Sequence, residues 1–168
     1  YLLLSIDLIV PSVELVNKGS VTDFSFNPFT GESENKLLMP IEINVPFANT
    51  EFDFNFVSEV DAALLAAYNE KYGTDYEMLP EESYTIPELS MSAGEDSKKF
   101  NITVSVDALD VVNGGKYYLL PVRLVSSGND QVPVEDEAIC YFRIKQASKW
   151  TGRWDNTIGA GETGLSTT

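Results

Sequence analysis

The sequence of 168 residues contains no histidine and only one cysteine. Without histidine, the chain lacks the usual general base of Ser-His and Cys-His nucleophile pairs, and it also lacks the commonest metal ligand. A single cysteine, Cys140, allows neither an intramolecular disulfide nor a cysteine-rich zinc site. We therefore expect a protein that is not an enzyme and that has no metal and no cofactor.

Basic residues are also scarce. Eleven lysines and arginines stand against 26 acidic residues, so the net charge is −15. Such a charge repels phosphate backbones and anionic lipid, which argues against a nucleic-acid partner. The opening Leu2-Leu3-Leu4 run is interrupted by Ser5 and Asp7, so it is no membrane span. We expect a monomer.

The remaining composition is that of one folded domain. With 43% apolar and 11% aromatic residues, the chain has enough material for a packed core. Residues 157–168 are rich in glycine, threonine and serine and have little to bury. We therefore expect a domain over residues 1–155, and a flexible tail or a linker to a following module over residues 156–168.

Alternation of apolar and polar residues dominates the pattern. Ile41, Ile43 and Val45 alternate with polar or proline residues, and the runs around residues 52–56 and 100–106 repeat this period. A period of two is typical of antiparallel strands with one face in water. The sequence therefore predicts an all-β, antiparallel β-sandwich of about seven to nine strands. Pro121 cannot donate a ladder hydrogen bond, so its strand should be at an edge or carry a bulge there.

One segment breaks this period and predicts a single short inserted helix. Asp61 is a plausible N-cap, strong helix formers follow it, and Gly73 is suited to a left-handed C-terminal stop. Leu64, Tyr68 and Tyr72 share one helical stripe, which we expect to pack on the sheet. The alternative for the tyrosines at 68, 72 and 76 is stacking on sugar rings.

A specific order of residues resembles a known domain. It consists of Val60-Asp61, Leu64, Tyr68-Asn69, Tyr72-Gly73-Thr74, Tyr76, Leu79-Pro80, Tyr84, Ala93-Gly94 and Tyr118-Leu119-Leu120-Pro121-Val122. The order resembles the N-terminal immunoglobulin-like domain of unknown function in Bacteroidetes cell-surface lipoproteins, which precedes endo-β-N-acetylglucosaminidase or lectin-like modules. The resemblance covers roughly residues 37–155.

The resemblance implies a β-sandwich at an extracytoplasmic site, on the outer-membrane surface, with a lipid anchor in the full-length protein. It also implies an accessory role in glycan capture or processing, with glycans or an adjacent glycan-active domain as partners. Among glycans we expect neutral ones, because the net charge of −15 disfavours anionic ligands. It implies no catalytic residues.

Three other patterns suggest chemistry without completing it. Glu51, Asp53 and Asn55 share a strand face as in glycosidase motifs, but the final acid of that motif is missing. The acidic loop at Asp130, Glu135, Asp136 and Glu137 offers oxygen ligands for calcium without regular spacing, so solubilising charge and a calcium site both stay open. A dinucleotide-type glycine motif at 159–164 is followed by only four residues, which leaves no room for the helix it requires.

Trp150 and Trp154 are the candidate glycan-binding residues, because they follow the last predicted strand where burial is not assured. Their alternative role is to seal the sandwich or its seam with a following domain.

Three functions remain open at this point. The leading hypothesis is a noncatalytic accessory or spacer domain of a glycan-binding or glycan-processing surface lipoprotein. The alternatives are a carbohydrate-binding module for neutral glycans, which exposed aromatics aligned on one face would favour, and an adhesin or fimbrial-type structural subunit.

Overall fold

A computed structural model describes residues 11–26, 36–106, 109 and 117–146 of the chain. These residues contain ten strands, one α-helix and a short 3-10 helix at Glu81–Ser83. The elements are β1 (Glu14–Leu15), β2 (Val21–Phe26), β3 (Lys36–Asn44), β4 (Phe54–Asn55), β5 (Val57–Glu59), α1 (Ala62–Tyr72), β6 (Tyr84–Thr85), β7 (Ser90–Met91), β8 (Ser97–Ser105), β9 (Tyr117–Ser126) and β10 (Ile139–Gln146). The predicted all-β fold with one inserted helix is confirmed.

Two four-stranded sheets form the sandwich, and β4 pairs with β7 beside them. The strand order is β1-β3-β8-β6 in the first sheet and β2-β10-β9-β5 in the second. All these ladders are antiparallel except that between β2 and β10, which is parallel. This one pair departs from the antiparallel arrangement that the sequence predicts. Parallel neighbours need a long crossover, and residues 27–138 supply it, so local alternation could not reveal the pairing.

The hydrophobic core lies between the two sheets. Its members from the first sheet include Met39, Ile41 and Ile102, and those from the second include Leu120 and Phe142. All five side chains are fully buried. They stand at alternate positions of their strands, because successive side chains point to opposite faces. The opposite face of the second sheet is therefore free to receive the helix.

Helix α1 begins and ends where its capping residues predict. The carboxylate of Asp61 accepts a hydrogen bond from the backbone N–H of Ala63 at 2.9 Å. Gly73 has the left-handed conformation, with φ of 64°, and its N–H donates to the carbonyl of Asn69. Within the described part of the chain, no helix is long and apolar enough to cross a membrane.

Pro121 lies in β9 where that strand has lost its partner on one side. On one side, Pro121 pairs regularly with Tyr141 of β10. On the other side, β5 pairs with β9 only as far as the Glu59–Arg123 pair and does not reach Pro121. The N–H of Leu119 points away from β10, to the carbonyl of Glu77, and by strand alternation the imino nitrogen of Pro121 faces that same side. The prediction of an edge strand or a bulge at Pro121 was wrong, because β9 is an inner strand with regular pairing to β10 at this residue. The missing donor is accommodated because Pro121 lies in the gap between the Glu77 contact and β5.

Candidate functional site

The outer face of the second sheet carries a concentration of tyrosines and cations. Its outward positions on β10 are Tyr141, Arg143 and Lys145, and Tyr117 stands beside them at the start of β9. Helix α1 packs against β9, and Leu119 and Pro121 are buried although they lie on this outer side. The helix and the segment after it therefore form one wall of a groove over β10.

Five tyrosines from α1, the segment after it, β9 and β10 form a continuous cluster beside this groove, which we call the tyrosine row: Tyr72, Tyr68, Tyr141, Tyr76 and Tyr117. The ring centroid of Tyr68 lies 4.5 Å from that of Tyr72, 4.8 Å from Tyr141 and 6.0 Å from Tyr76. Tyr76 is in turn 6.0 Å from Tyr117. These distances are within the range of favourable aromatic pairs, so the rings support one another.

The two ends of the row are the exposed parts. Tyr72 is 56% exposed and Tyr117 37%, whereas the three tyrosines between them are half-buried. Burial raises the pKa of Tyr68 and that of Tyr141, so both phenols are neutral at physiological pH and can donate hydrogen bonds.

The expectation that Tyr72 packs under the helix was therefore wrong. Leu64 and Leu65, in the first turns of α1, supply the buried side chains of the helix. Tyr72 is the last helical residue, and its ring lies against Tyr68 instead of under the helix.

Asn69 holds Tyr76 in place in the turn after α1. Its side-chain oxygen accepts hydrogen bonds from the Tyr76 N–H at 3.1 Å and from the Thr74 hydroxyl at 2.8 Å. Its amide nitrogen donates to the Tyr76 carbonyl at 3.0 Å. The side chain thus substitutes for backbone pairing in the turn and fixes where the Tyr76 ring stands.

Arg143 connects this wall to β2 on the other side. Its Nε donates to Oδ1 of Asp23 and its Nη2 donates to Oδ2 at 2.9 Å, while Nη1 donates to the Tyr76 hydroxyl at 3.0 Å. The hydrogen bond from Arg143 holds the pKa of Asp23 below its ordinary value, and Asp23 in turn raises the pKa of Arg143. Both groups are charged at neutral pH, and the guanidinium is fixed by three hydrogen bonds.

The groove between the two walls has a volume of about 610 Å³. It is lined by Asp23, Phe24, Ser25, Gly73, Thr74, Asp75, Tyr76, Tyr117, Arg143 and Lys145. Two carboxylates and two cations are among these residues, so the lining is balanced in charge although the chain carries −15. The ammonium of Lys145 lies 5.3 Å from the centroid of the Tyr117 ring.

The tryptophans proposed from sequence, Trp150 and Trp154, lie outside the described residues, as does the glycine motif at 159–164. Among the carboxylates considered for hydrolysis, Asp53 accepts a hydrogen bond from the backbone N–H of Ala93 at 2.7 Å, and Glu51 is exposed. Asp53 thus binds a neighbouring turn.

The acidic loop has a structural contact of its own. Glu135 accepts a hydrogen bond from the N–H of Leu15 at 2.7 Å and forms an ion pair with Lys18 at 3.1 Å. In the ranges that the structure describes, no group of three or more acidic, cysteine or histidine side chains is arranged to hold a metal ion. Cys140 is fully buried in the core, and burial raises the pKa of its thiol to about 12.

Sequence reasoning singled out one aromatic side chain of the groove, Tyr76, together with its neighbours Tyr68 and Tyr72. It missed Tyr117, Tyr141, Arg143 and Asp23. Strand alternation did contain a signal, because Tyr141, Arg143 and Lys145 all occupy the outward positions of a strand whose other face is apolar. The contribution of β2 had no signal, since it depends on the parallel pairing.

Comparison with known proteins identifies the domain type. A family model for an N-terminal domain matches residues 9–131, which is more than half of the chain. The chain belongs to this N-terminal domain family. The predicted resemblance is thereby confirmed. No curated protein matches the sequence.

Solved structures of Bacteroides proteins share the fold of this N-terminal domain. A candidate carbohydrate-binding protein from Bacteroides ovatus has 22% identity and a TM-score of 0.59, with 83% of this chain and 38% of that protein covered. EndoBT-3987 from Bacteroides thetaiotaomicron, solved with a Man5GlcNAc product, has 18% identity and a TM-score of 0.56. The match covers 75% of this chain and 28% of EndoBT-3987. A two-domain protein of unknown function from Bacteroides fragilis has 15% identity and a TM-score of 0.62, with 86% of this chain and 48% of that protein covered. The chain thus spans less than half the length of each of these structures.

Proposed function

We propose that this chain is a noncatalytic accessory domain of a larger glycan-binding or glycan-processing protein. Membership of an N-terminal domain family over residues 9–131 is the observation that carries the proposal. The coverage of relatives supports it, because the matched region is a minor part of EndoBT-3987 and of the candidate carbohydrate-binding protein. In this proposal residues 1–155 are the domain and residues 156–168 connect it to a following module.

The proposed location is the outer-membrane surface, with a lipid anchor in the full-length protein. Relatives from Bacteroides that handle carbohydrate support an extracytoplasmic place, because glycans from outside the cell are captured there. The role at that surface is to space or present a glycan-active partner.

Two matched measurements test the accessory role. The 168-residue chain is incubated with chromogenic glycosides and with Man5GlcNAc-bearing substrate, and we expect no turnover. The protein encoded by the complete reading frame is then compared with a form lacking residues 1–155. We expect unchanged turnover of small soluble substrates and reduced retention on a glycan-coated surface. Turnover by the isolated chain that Glu51→Gln abolishes would refute the noncatalytic role.

Direct binding of neutral glycans is a second candidate function, and the tyrosine row favours it. Exposed aromatic side chains aligned on one face are the feature that distinguishes a binding module from a simple spacer. Trp150 and Trp154 stay a prediction as further glycan contacts.

A further inference from the structure

We propose that the groove binds a neutral oligosaccharide, with Tyr117 as the stacking surface for one sugar ring, Tyr76 beside it, and Asp23 and Arg143 as hydrogen-bonding partners of its hydroxyls. This inference rests on the proposed function and names the ligand class and the residues of one site. It concerns described residues alone and does not involve the tryptophans.

The stacking surface is built and partly open. Tyr117 lines the groove, is 37% exposed and has its ring centroid 6.0 Å from that of Tyr76. The two ring planes are inclined by 54°, so Tyr117 alone offers the face on which a sugar ring would stack. A tyrosine ring offers a flat apolar face and a polar edge, which matches the apolar face and equatorial hydroxyls of a pyranose. The groove volume of about 610 Å³ is within the usual range of small-molecule clefts, ~300–1,000 Å³.

The polar partners are already ordered before a ligand arrives. Arg143 is fixed by Asp23 and by the Tyr76 hydroxyl, so little side-chain entropy would be lost on binding. The Asp23 side chain is 62% exposed. Its carboxylate has about four lone-pair sites, of which Arg143 uses two, so hydroxyl donors can reach the others.

Charge selects a neutral ligand. Asp23 and Asp75 balance Arg143 and Lys145 in the lining, so the groove offers no net attraction to either an acidic or a basic sugar. At longer range the net charge of −15 repels polyanions. Neutral hydroxylated rings are the remaining class that fits stacking and hydrogen bonding together.

The row also points to a chain of sugars. Tyr72, at 56% exposure, stands at the end of the row opposite Tyr117, with Tyr68 and Tyr76 between them. One pyranose covers about one aromatic ring, so a ligand that contacts both Tyr117 and Tyr72 must contain several. We therefore expect longer oligosaccharides to bind more tightly than disaccharides.

Calorimetric titration of the 168-residue chain tests the site. The probes are the neutral hexasaccharides of β-1,4-glucose, β-1,3-glucose, β-1,4-mannose and N-acetylglucosamine, their disaccharides, and hexagalacturonic acid as the anionic comparison. We expect at least one neutral hexasaccharide to bind and the anionic one not to bind. Tyr117→Ala should weaken binding about ten-fold, whereas Tyr117→Phe, which keeps the ring, should stay close to wild type.

Two further variants locate the ligand. Tyr72→Ala should weaken hexasaccharide binding and leave disaccharide binding unchanged. Leu38→Ala is the matched control, because Leu38 is 57% exposed but lies on β3 in the other sheet. It should bind as wild type does. Thermal unfolding of each variant verifies that the fold is intact.

Three results would overturn the inference: no binding to any neutral hexasaccharide, unchanged binding in Tyr117→Ala, or binding abolished by Trp150→Ala with Trp154→Ala while Tyr117→Ala remains wild type. These failures leave the noncatalytic role standing, because that role is measured by the absence of turnover in the isolated chain. Conversely, turnover by the isolated chain would refute the accessory role without affecting the titrations.

Discussion

Asp23 and Arg143 occupy opposite positions of the parallel ladder between β2 and β10, and their side chains form a two-bonded ion pair across it. The pair fastens a strand from early in the chain to the last described strand. Because Arg143 also donates to Tyr76, one guanidinium joins the second sheet to the wall of the groove.

The stability that Asp23 contributes should depend on pH in one direction. Arg143 lowers the pKa of Asp23 below 3.8 in the folded state, so the contribution is fully present above about pH 5 and is lost as the pH falls through the folded pKa. Asp23→Asn should cost at most about 1 kcal/mol at pH 7, since the pair is partly exposed. Urea unfolding of both proteins from pH 7 to pH 2 measures the difference between their free energies of unfolding. A difference that persists unchanged at the acid end would contradict this assignment.

Leu64→Ala should lower the free energy of unfolding by about 2 to 5 kcal/mol, because it removes a buried side chain between α1 and the sheet. Urea unfolding checks the effect: the midpoint of the transition should fall while the dependence of the unfolding free energy on urea stays constant. Ala66→Ser, on the exposed side of the same helix, is the control and should cost about 0.5 kcal/mol or less. Equal midpoints for Leu64→Ala and the parent would show that the helix does not dock through this residue.

Gly128→Ala should be much more destabilising than Gly19→Ala. Both glycines have left-handed φ values, 74° and 73°. A Cβ at Gly128 would lie 2.5 Å from the carbonyl oxygen of Asn55, whereas one at Gly19 meets nothing within 4 Å. Gly19→Ala therefore measures the conformational cost alone, about 1 to 2 kcal/mol. The clash should add about 1 to 3 kcal/mol at Gly128, as measured by thermal or urea unfolding. Equal losses of stability in the two variants would mean that the loop at residues 126–132 moves to accept the added Cβ without an energetic cost.

Asn69→Ala should destabilise the turn after α1 by about 1 to 3 kcal/mol, because three hydrogen bonds to Thr74 and Tyr76 are lost. Asn69→Asp retains the two acceptor contacts, but it replaces the donating nitrogen with a carboxylate oxygen that faces the Tyr76 carbonyl, so it also destabilises the turn while keeping the acceptor of the Tyr76 N–H. Hydrogen exchange at the Tyr76 amide gives a local readout, and its protection should fall in the order wild type, Asp, Ala. Unaltered protection in Asn69→Ala would exclude the positioning role.

Cys140 should resist thiol reagents in the native protein at pH 8. Its side chain is fully buried, and burial raises the pKa of the thiol to about 12, so almost no thiolate forms. Ellman's reagent should label it at the rate of global unfolding, whereas the chain in guanidinium chloride should react at once. Rapid stoichiometric labelling without denaturant would contradict burial.

The parts of the fold that depend on local chemistry could be predicted from the sequence, and those that depend on remote pairing could not. Asp61 and Gly73 act through their own backbone neighbours, so the helix bounds followed from residue type. The missing donor of Pro121 indicated only that no ladder hydrogen bond is made on one side, and it did not reveal that β9 is an inner strand. By contrast, the placement of Asp23 beside Arg143 depends on which strand pairs with β10, a contact that spans 120 residues of sequence. Tyr72 was assigned to the core because helical spacing gives a face but not the depth at which each turn docks.

The parallel arrangement of β2 and β10 also decides how the domain would respond to mechanical load. Val21 and Gln146 are at opposite ends of this ladder, one towards the start of the chain and the other towards its end. Tension between the two ends of the chain would slide the strands past each other, so that the registered pairs from Val21–Tyr141 to Phe26–Gln146 resist together and do not unzip one at a time. In this shear geometry the six registered pairs of the ladder must give way together, which raises the force needed to separate β2 from β10.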